Sequence, residues 1–286
     1  MSEHKFKIVE CPRDAMQGLH NFIPTDLKAE YLNLLLQVGF DTLDFGSFVS
    51  PRAIPQLADT AEVLGKLDLS TTNTKLLAII ANLKGVKLAV NHEAISYLGF
   101  PFSISETFQQ RNTNSSIEQS LATVEEMLSL CAKHNKTAVV YLSMGFGNPY
   151  GDEWNYEIVE KWADVLVDKG VEILSLADTV GISTLEKINE ILPKLLSKFS
   201  HSEIGIHLHS TPAERFEKIE AAYNSGVKRI DSALKGFGGC PMAADDLTGN
   251  IATEDVINFL NSKGENLNLN MAKWNEAMVL SGKIFR

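Results

Sequence analysis

The feature that most constrains the fold of this chain is a regular alternation of short β-type segments with longer helical ones. The short segments are apolar, whereas the longer ones repeat apolar residues at the spacing of an amphipathic helix. The predicted strands span residues 6–10, 42–45, 76–81, 94–98, 137–143, 172–177, 204–209 and 229–233. The predicted helices span residues 26–38, 58–67, 84–90, 115–134, 156–169, 185–199, 213–225 and 253–261. Helix N-caps are predicted at Thr25 and at Ser115 or Ser116.

Eight strand-then-helix units in 286 residues predict a (β/α)8 barrel, the α/β fold known as the TIM barrel. A doubly wound open sheet is the alternative, because alternation by itself does not require closure. No linker-like, low-complexity or repeated segment divides the chain, so residues 1–286 are predicted to form one catalytic domain. Residues 263–286 follow the eighth unit and are expected to add a helix at 271–280.

Charge and composition limit the kinds of partner. The 36 acidic and 26 basic residues give a formal net charge of −10, which argues against nucleic acid or an anionic membrane as the main partner. The first residues resemble neither a signal peptide nor a transit segment, and no apolar run reaches membrane-spanning length. Three scattered cysteines fit a reducing compartment. We therefore expect a soluble protein of the cytoplasm.

Two histidines at the end of the seventh predicted strand indicate a metal site. His207 and His209 are two residues apart, and because side chains alternate along a strand, both point to the same face. Two neutral imidazoles that converge in this way offer two nitrogen ligands to a divalent cation. The alternative is that one histidine caps a backbone group and the other is simply exposed.

In a (β/α)8 barrel, the catalytic and ligand-binding residues lie where the strands end and the following loops begin. Polar side chains occur at several of these ends: Arg13, Asp14, Gln17, Asp44, Asp178, the two histidines, Cys240 and Asn250. A cation bound by Asp14, His207 and His209, with oxygen ligands completing its shell, suits Mg²⁺ or Mn²⁺ better than a closed zinc site.

Short motifs at these strand ends form a pattern that covers nearly the whole chain. They are Pro12-Arg13-Asp14 with Gln17, Gly46-Ser47-Phe48-Val49-Ser50-Pro51, Ser105-Glu106-Thr107-Phe108, Ser175-Leu176-Ala177-Asp178-Thr179-Val180-Gly181, His207-Leu208-His209, Gly238-Gly239-Cys240-Pro241 and Gly249-Asn250-Ile251-Ala252-Thr253-Glu254-Asp255. With these motifs the chain resembles the 3-hydroxy-3-methylglutaryl-CoA lyase family, within the metal-dependent lyase and Claisen-type synthase barrels. The last two motifs carry the most weight, because the Arg-Asp and His-x-His elements are shared across the wider group.

The resemblance implies a metal-dependent reaction. Asp14, His207, His209 and Asn250 would bind Mg²⁺ or Mn²⁺. The family reaction is a retro-Claisen cleavage of 3-hydroxy-3-methylglutaryl-CoA to acetyl-CoA and acetoacetate. The partner it implies is a small acyl-CoA substrate, and a homodimer is expected.

The resemblance also implies roles in catalysis and in substrate binding. Arg13 would stabilise the enolate oxygen of the leaving thioester, and Cys240 would take part in proton transfer. Asp14 and His207 would belong to the catalytic group as well. The residues implied to contact the substrate are Arg13, Gln17, Asp44 and Asp178.

Several of these residues also have an ordinary structural explanation. Arg13 and Asp14 could form a simple ion pair at the end of a strand. Cys240 could fill a small buried space, and Asn250 could serve in a turn. Asp178 could cap the turn at 179–184 without contacting substrate.

Departures from the family pattern bear on the substrate. Asp44 stands where the family usually has Glu, and the stretch containing His20 lacks the usual basic residue. The loop containing Asn148 lacks the usual cysteines, and Ser210 stands where the family has Asp. The acyl group accepted could therefore differ from that of the family's main substrate.

Two other kinds of protein stay open. One is a lyase, aldolase or synthase of the same barrel group that acts on another hydroxyacyl-CoA or on a 2-oxo acid. A synthase would lack the Gly-Gly-Cys-Pro loop and usually has a longer C-terminal regulatory region. The second is a metal-binding scaffold without catalysis, which would not need Arg13 and Cys240 beside the ligands.

Overall fold

A computed structural model describes residues 6–239 and 248–285 of the chain. In this part, eight parallel strands close into a barrel in chain order. The strands are β1 (Lys7–Glu10), β2 (Thr42–Ser47), β3 (Lys75–Ile79), β4 (Ile95–Ser103), β5 (Thr137–Ser143), β6 (Ile173–Ala177), β7 (Glu203–His207) and β8 (Arg229–Ser232). The pairing of β8 with β1, with Ile230 opposite Ile8, completes the ring. The predicted (β/α)8 barrel is confirmed, and the open sheet is wrong because an open sheet keeps two unpaired edge strands.

Eleven α-helices surround or cap the barrel within the same described ranges. They are α1 (Pro12–Gln17), α2 (Thr25–Val38), α3 (Thr60–Leu64), α4 (Leu83–Ala89), α5 (Glu106–Thr113), α6 (Ile117–Lys133), α7 (Tyr156–Asp168), α8 (Leu185–Lys198), α9 (Arg215–Asn224), α10 (Thr253–Ser262) and α11 (Met271–Ile284). Two short 3-10 helices occupy Pro55–Leu57 and Leu234–Gly236. Among the residues described, none of these helices has the length and apolar character needed to cross a bilayer.

The apolar core has an outer and an inner part, since successive strand residues face opposite sides of the sheet. The outer part, represented by Leu43 and Phe45 on β2, packs between the sheet and the helices. The inner part fills the barrel and includes Leu77, Tyr97 and Tyr141. A barrel filled by side chains is a rigid support for the residues at its rim.

The helix predicted at 58–67 is only partly present. Within it only the short α3 forms, and the 3-10 helix Pro55–Leu57 comes just before it. Helices α1 and α5 were not predicted at all. Helices of six to eight residues show too few turns for a clear apolar period. Strand β4 runs on to Ser103, past Gly99 and Pro101, which are residues that usually weaken a strand prediction.

The predicted caps have different outcomes. The prediction of Thr25 as an N-cap is wrong, because α2 begins at Thr25 and its N-cap is Pro24. The Thr25 hydroxyl donates instead to Asp59. Ser116 does cap α6, and its side chain forms a capping box with Gln119.

The last helix, α11, is longer than predicted and packs against α2. Phe285, the residue after α11, lies edge-on to Tyr31 with ring centroids 6.0 Å apart. Trp274 makes a similar contact with Phe40 at 5.9 Å. The segment after the eighth unit therefore packs against the outside of the barrel through α2.

Candidate metal centre and active site

Three of the predicted ligands meet at the carboxyl end of the barrel. Asp14, His207 and His209 each offer a ligand atom, and these atoms all lie within 4.8 Å of one another. Strand β7 ends at His207, and His209 lies beyond it in an isolated bridge with Asn250. The two imidazole rings are nearly perpendicular, with centroids 5.1 Å apart. The predicted convergence of the two histidines is therefore present, although only His207 belongs to the strand.

Asp14 is placed by helix α1, which begins directly after β1. Proline at the first position of α1 favours this abrupt start. One carboxylate oxygen, Oδ1, accepts hydrogen bonds from Arg13 Nη1 at 3.1 Å and Gln17 Nε2 at 2.8 Å. The other, Oδ2, accepts from Asn250 Nδ2 at 2.6 Å and from the Gly239 amide at 3.3 Å. Asp14 therefore connects the loop after β1 to the loop after β8.

Each histidine keeps its Nε2 available as a ligand. His209 Nδ1 lies 3.2 Å from the Thr179 carbonyl, which can only accept, so Nδ1 carries the proton and Nε2 carries the lone pair. His207 Nδ1 lies 3.1 Å from Asp231 Oδ2, and the same reasoning applies to it. His209 Nε2 is buried without a hydrogen-bond partner in the described part of the chain. A buried lone pair of this kind, beside a carboxylate, fits a divalent cation.

The electrostatics of Asp14 and His209 favour a cation. Burial would raise the pKa of Asp14, but the neighbouring Arg13, His207 and His209 outweigh it, and the pKa falls to about 2. Burial would lower the pKa of His207, but the hydrogen bond and the charge of Asp231 outweigh it, and the pKa of His207 is raised. Burial lowers the pKa of His209, and the neighbouring His207 lowers it further. An ionised carboxylate and a neutral imidazole are the forms that bind metal.

Asn250 joins this group through its amide. Its Nδ2 donates to Asp14 Oδ2 and, at 2.8 Å, to the Phe237 carbonyl. The amide oxygen is therefore the atom that remains to bind a cation. Asn250 is 2% exposed, so the contact excludes water.

Arg13 is held beside the ligands by Asp44. Its Nε lies 3.0 Å and its Nη2 2.6 Å from Asp44 Oδ2, while Nη1 donates to Asp14 and to Gln17 Oε1. These bonds use four of the five guanidinium N–H groups and leave one on Nη2. Burial raises the pKa of Asp44 to about 6 even though Arg13 opposes it. Because both side chains are buried, this pair is a fixed feature of the site and differs from a surface ion pair.

A cavity of about 770 Å³ opens above these residues. Arg13, Asp14, Gln17 and both histidines contribute to its lining, and so do the apolar or aromatic Ile79, Tyr141 and Phe22. Its volume is that of a site for a small organic ligand. The arrangement can therefore hold a substrate against a metal and a guanidinium at once.

Asp178 lies beside this cavity, between the lining residues Ala177 and Thr179. Its carboxylate accepts hydrogen bonds from the amides of Ile182 at 2.8 Å and Ser183 at 3.1 Å. These bonds match the turn-capping explanation. A contact between Asp178 and substrate stays a prediction.

Cys240 lies outside the described residues, so its role as an acid also stays a prediction. Gly239, its described neighbour, reaches the Asp14 carboxylate. Of the residues that depart from the family pattern, His20 lines the cavity. Asn148 bonds within its own loop to Asp152, and the Ser210 amide donates to Gly249.

Sequence reasoning missed three buried charged residues that support the site. Asp231 bonds to His207, and Lys218 Nζ donates to the His209 carbonyl at 3.1 Å. Glu10 accepts hydrogen bonds from the Leu234 amide and the Thr253 hydroxyl, at the two ends of the loop that carries Asn250. These residues could have been found in the sequence, because each is a charged residue type within an otherwise apolar strand or helix face.

The HMGL-like family model matches residues 5–280 of the chain. The chain belongs to this family. The motifs that resembled the lyase family therefore reflect membership, and the HMGL-like match spans the whole barrel with most of α11.

Individual HMGL-like proteins agree with this assignment. The cytoplasmic 3-hydroxy-3-methylglutaryl-CoA lyase of Rattus norvegicus is 35% identical over 272 residues, which is 95% of this chain and 78% of the rat protein. The mitochondrial hydroxymethylglutaryl-CoA lyase of Gallus gallus is 31% identical, with 94% and 90% covered. An HMG-CoA lyase from Acinetobacter baumannii, solved with coenzyme A and 3-methylmalate, superposes with a TM-score of 0.92 at 29% identity, with 100% and 92% covered.

Proposed function

We propose that this HMGL-like protein is a lyase that cleaves 3-hydroxy-3-methylglutaryl-CoA into acetyl-CoA and acetoacetate. The observation that carries the proposal is the meeting of Asp14, His207 and His209 with Arg13 at one cavity, with Asn250 bonded to Asp14. Relatives with 31–35% identity over nearly the whole chain are hydroxymethylglutaryl-CoA lyases. An aldolase, a synthase or a scaffold has no comparable support.

The metal would be Mg²⁺ or Mn²⁺, held by Asp14, His207, His209 and the amide oxygen of Asn250. Two oxygen and two nitrogen donors, without thiolate, suit these cations better than a closed zinc site. When bound, such a cation orients the substrate's hydroxyl and carboxylate and lowers the energy of the alkoxide.

Arg13 would stabilise the enolate that leaves when the carbon–carbon bond breaks. Asp44 holds the guanidinium in place by accepting hydrogen bonds from Nε and Nη2, and one N–H on Nη2 remains for the thioester oxygen. A preorganised donor at such a position commonly contributes about 3 kcal/mol. Gln17 bridges Arg13 and Asp14, so it would hold their relative position while lining the substrate cavity.

The enolate carbon must then receive a proton, and we assign this step to the Cys240 thiol. The substrate hydroxyl loses its proton to solvent as the carbon–carbon bond breaks and acetoacetate leaves. The thiol proton then moves to the enolate carbon, which gives acetyl-CoA, and the resulting thiolate takes up a proton from solvent. Asp44 and Asp178 would complete the substrate site, Asp44 through Arg13 and Asp178 from the β6 end.

The proposed partner is an acyl-CoA thioester, and the A. baumannii lyase was solved with coenzyme A. We place the protein in the cytoplasm, like the rat relative, and expect a homodimer. Calibrated gel filtration of the purified protein tests the dimer.

The direct test is release of acetyl-CoA from 3-hydroxy-3-methylglutaryl-CoA by purified protein. Chelator-treated protein should be inactive and should regain activity with Mg²⁺ or Mn²⁺. His209→Ala should bind Mn²⁺ more weakly in calorimetry. Full turnover in excess chelator, or turnover only with a different acyl thioester in a substrate series, would overturn the corresponding part of the proposal.

A further inference from the structure

Strands β7 and β8 place four interior residues in two matched pairs. In the parallel register, Gly205 is opposite Arg229 and His207 is opposite Asp231. The residues between them, Ile206 and Ile230, belong to the outer core. Since side chains alternate, both pairs face the barrel interior. The pair Gly205 and Arg229 lies below the pair His207 and Asp231, that is, closer to the amino end of the strands.

Asp231 lies directly behind the metal site. It is 1% exposed, and its Oδ2 accepts the hydrogen bond from His207 Nδ1 at 3.1 Å. Its other oxygen, Oδ1, is buried and has no hydrogen-bond partner within residues 6–239 and 248–285. A buried carboxylate with only one hydrogen bond needs a compensating positive charge nearby.

Arg229 supplies a positive charge inside the same barrel. It is 1% exposed, and its Nη1 lies 3.4 Å from Glu203 and 3.6 Å from Asp41 at the amino end of the strands. Its Nε and Nη2 have no partner among the described residues. Along a strand, two residues span about 7 Å, so Arg229 lies about that distance below Asp231, toward the amino end of β8.

The room for this arginine comes from Gly205. A Cβ on Gly205 would lie 3.1 Å from Arg229 Cδ and 3.3 Å from its Cγ. A side chain at position 205 would therefore compete with the aliphatic part of Arg229. The glycine and the arginine fit together as one interior layer beneath the metal site.

We propose that Asp231 and Arg229 are positioning residues of the metal site. Asp231 fixes the ring and the tautomer of His207, so that Nε2 faces Asp14 and His209, and Arg229 offsets the negative charge that Asp231 brings into the barrel. Carboxylates that hold metal-binding histidines commonly act in this way. This inference rests on the proposed function only in that both need a metal at this site.

The test measures Mn²⁺ affinity of the purified full chain by calorimetry, alongside the nitrogen NMR signals of the histidine rings in metal-free protein. Asp231→Asn should weaken Mn²⁺ binding about 10- to 100-fold, because an amide can donate to Nδ1 and move the ring proton to Nε2. The His207 signals should show that change of tautomer. Arg229→Met should weaken binding about 10-fold, and Arg229→Lys should recover most of it.

A purely structural role predicts a different result. Arg229→Met would then lower the unfolding temperature while the folded protein kept its Mn²⁺ affinity. Ser175→Ala is the matched control, since it changes a fully buried polar side chain that makes no hydrogen bond to His207. Its Mn²⁺ affinity should equal that of the wild type.

The outcomes separate this inference from the lyase assignment. In one outcome the wild type cleaves the thioester, while Asp231→Asn and Arg229→Met keep the wild-type Mn²⁺ affinity and the wild-type His207 tautomer. This outcome overturns the positioning role and leaves the lyase assignment in place. In the other outcome the wild type binds Mn²⁺ but does not cleave the hydroxymethylglutaryl thioester, and both variants bind Mn²⁺ more weakly than the wild type. This outcome overturns the lyase assignment and supports the positioning role.

Discussion

Gly238 lies directly against Asp14. A Cβ at position 238 would be 2.9 Å from both the carbonyl oxygen and Oδ2 of Asp14, and 2.6 Å from Asn250 Nδ2. The backbone there also has a φ of +99°, which side chains with a Cβ rarely adopt. The loop after β8 can therefore cross Asp14 and Asn250, the proposed metal ligands, only because position 238 is glycine.

Gly238→Ala should disrupt the metal site. The added methyl group would push Asn250 away from Asp14, so we expect Mn²⁺ binding to weaken at least about tenfold and the lyase rate to fall with it. The measurement is Mn²⁺ calorimetry together with acetyl-CoA release. Gly39→Ala is the control, because Gly39 has a similar φ of +88° but nothing within 4 Å of its added Cβ. Equal loss of Mn²⁺ affinity in both variants would show that backbone strain is the cause.

Arg13→Lys should lower kcat by several orders of magnitude. A lysine keeps the charge but loses the planar donors that pair with Asp44 and leave one N–H for the thioester oxygen. Mn²⁺ affinity should change much less than kcat, since Arg13 is not a ligand. Steady-state kinetics beside Mn²⁺ calorimetry checks both. Turnover near the wild-type rate would make Arg13 a structural residue.

Cys240→Ser should keep the fold and the metal but lose most of kcat, because a hydroxyl is a far weaker acid than a thiol. A thiol reagent should inactivate the wild type, and saturating substrate should protect it. Burial raises the pKa of Cys131 to about 11 and that of Cys11 well above its ordinary value, so both should react slowly. Cys131→Ser is the control for kinetics and labelling. If Cys240→Ser and Cys131→Ser both turn over like the wild type, the thiol has no chemical role.

Glu10 should make stability fall with rising pH. Burial raises its pKa from 4.5 to about 8 in the folded protein, although the bonds from Thr253 and Leu234 oppose this. Folding therefore takes up a proton between these two pH values, so the contribution of Glu10 to stability is full below pH 4.5 and is lost as pH rises through about 8. Glu10→Gln should flatten the pH dependence of the unfolding free energy, as measured by urea denaturation from pH 5 to pH 9.

Glu30→Gln controls for removing a carboxylate, because Glu30 is exposed on α2. Its unfolding free energy should follow the wild-type pH dependence. A wild-type curve with the same slope as Glu10→Gln would contradict the raised pKa.

Local pattern was sufficient for the order of the elements and for part of the site. The alternation of strand-type and helix-type hydrophobic patterns predicted all eight strands. This works because the spacing of apolar residues within a strand or helix indicates which of its faces is buried. Asp14, His207 and His209 could also be predicted as candidate ligands, since they place metal-binding groups at strand ends, and the structure brings them together. The short helices α1 and α5 could not be predicted in this way, because their length gives no clear period.

Tertiary structure decided closure of the barrel and the pairing of the charges. Arg13 meets Asp44 from 31 residues away, His207 meets Asp231 from 24, and Glu10 meets Thr253 from 243. The contact of His207 with Asp231 depends on the register between β7 and β8, since a shift of one residue would turn the side chain to the opposite face. The other two contacts depend on where helices α1 and α10 pack against the strand ends. A strand's own residues show which face is buried but carry no information about which residue of the next strand lies opposite.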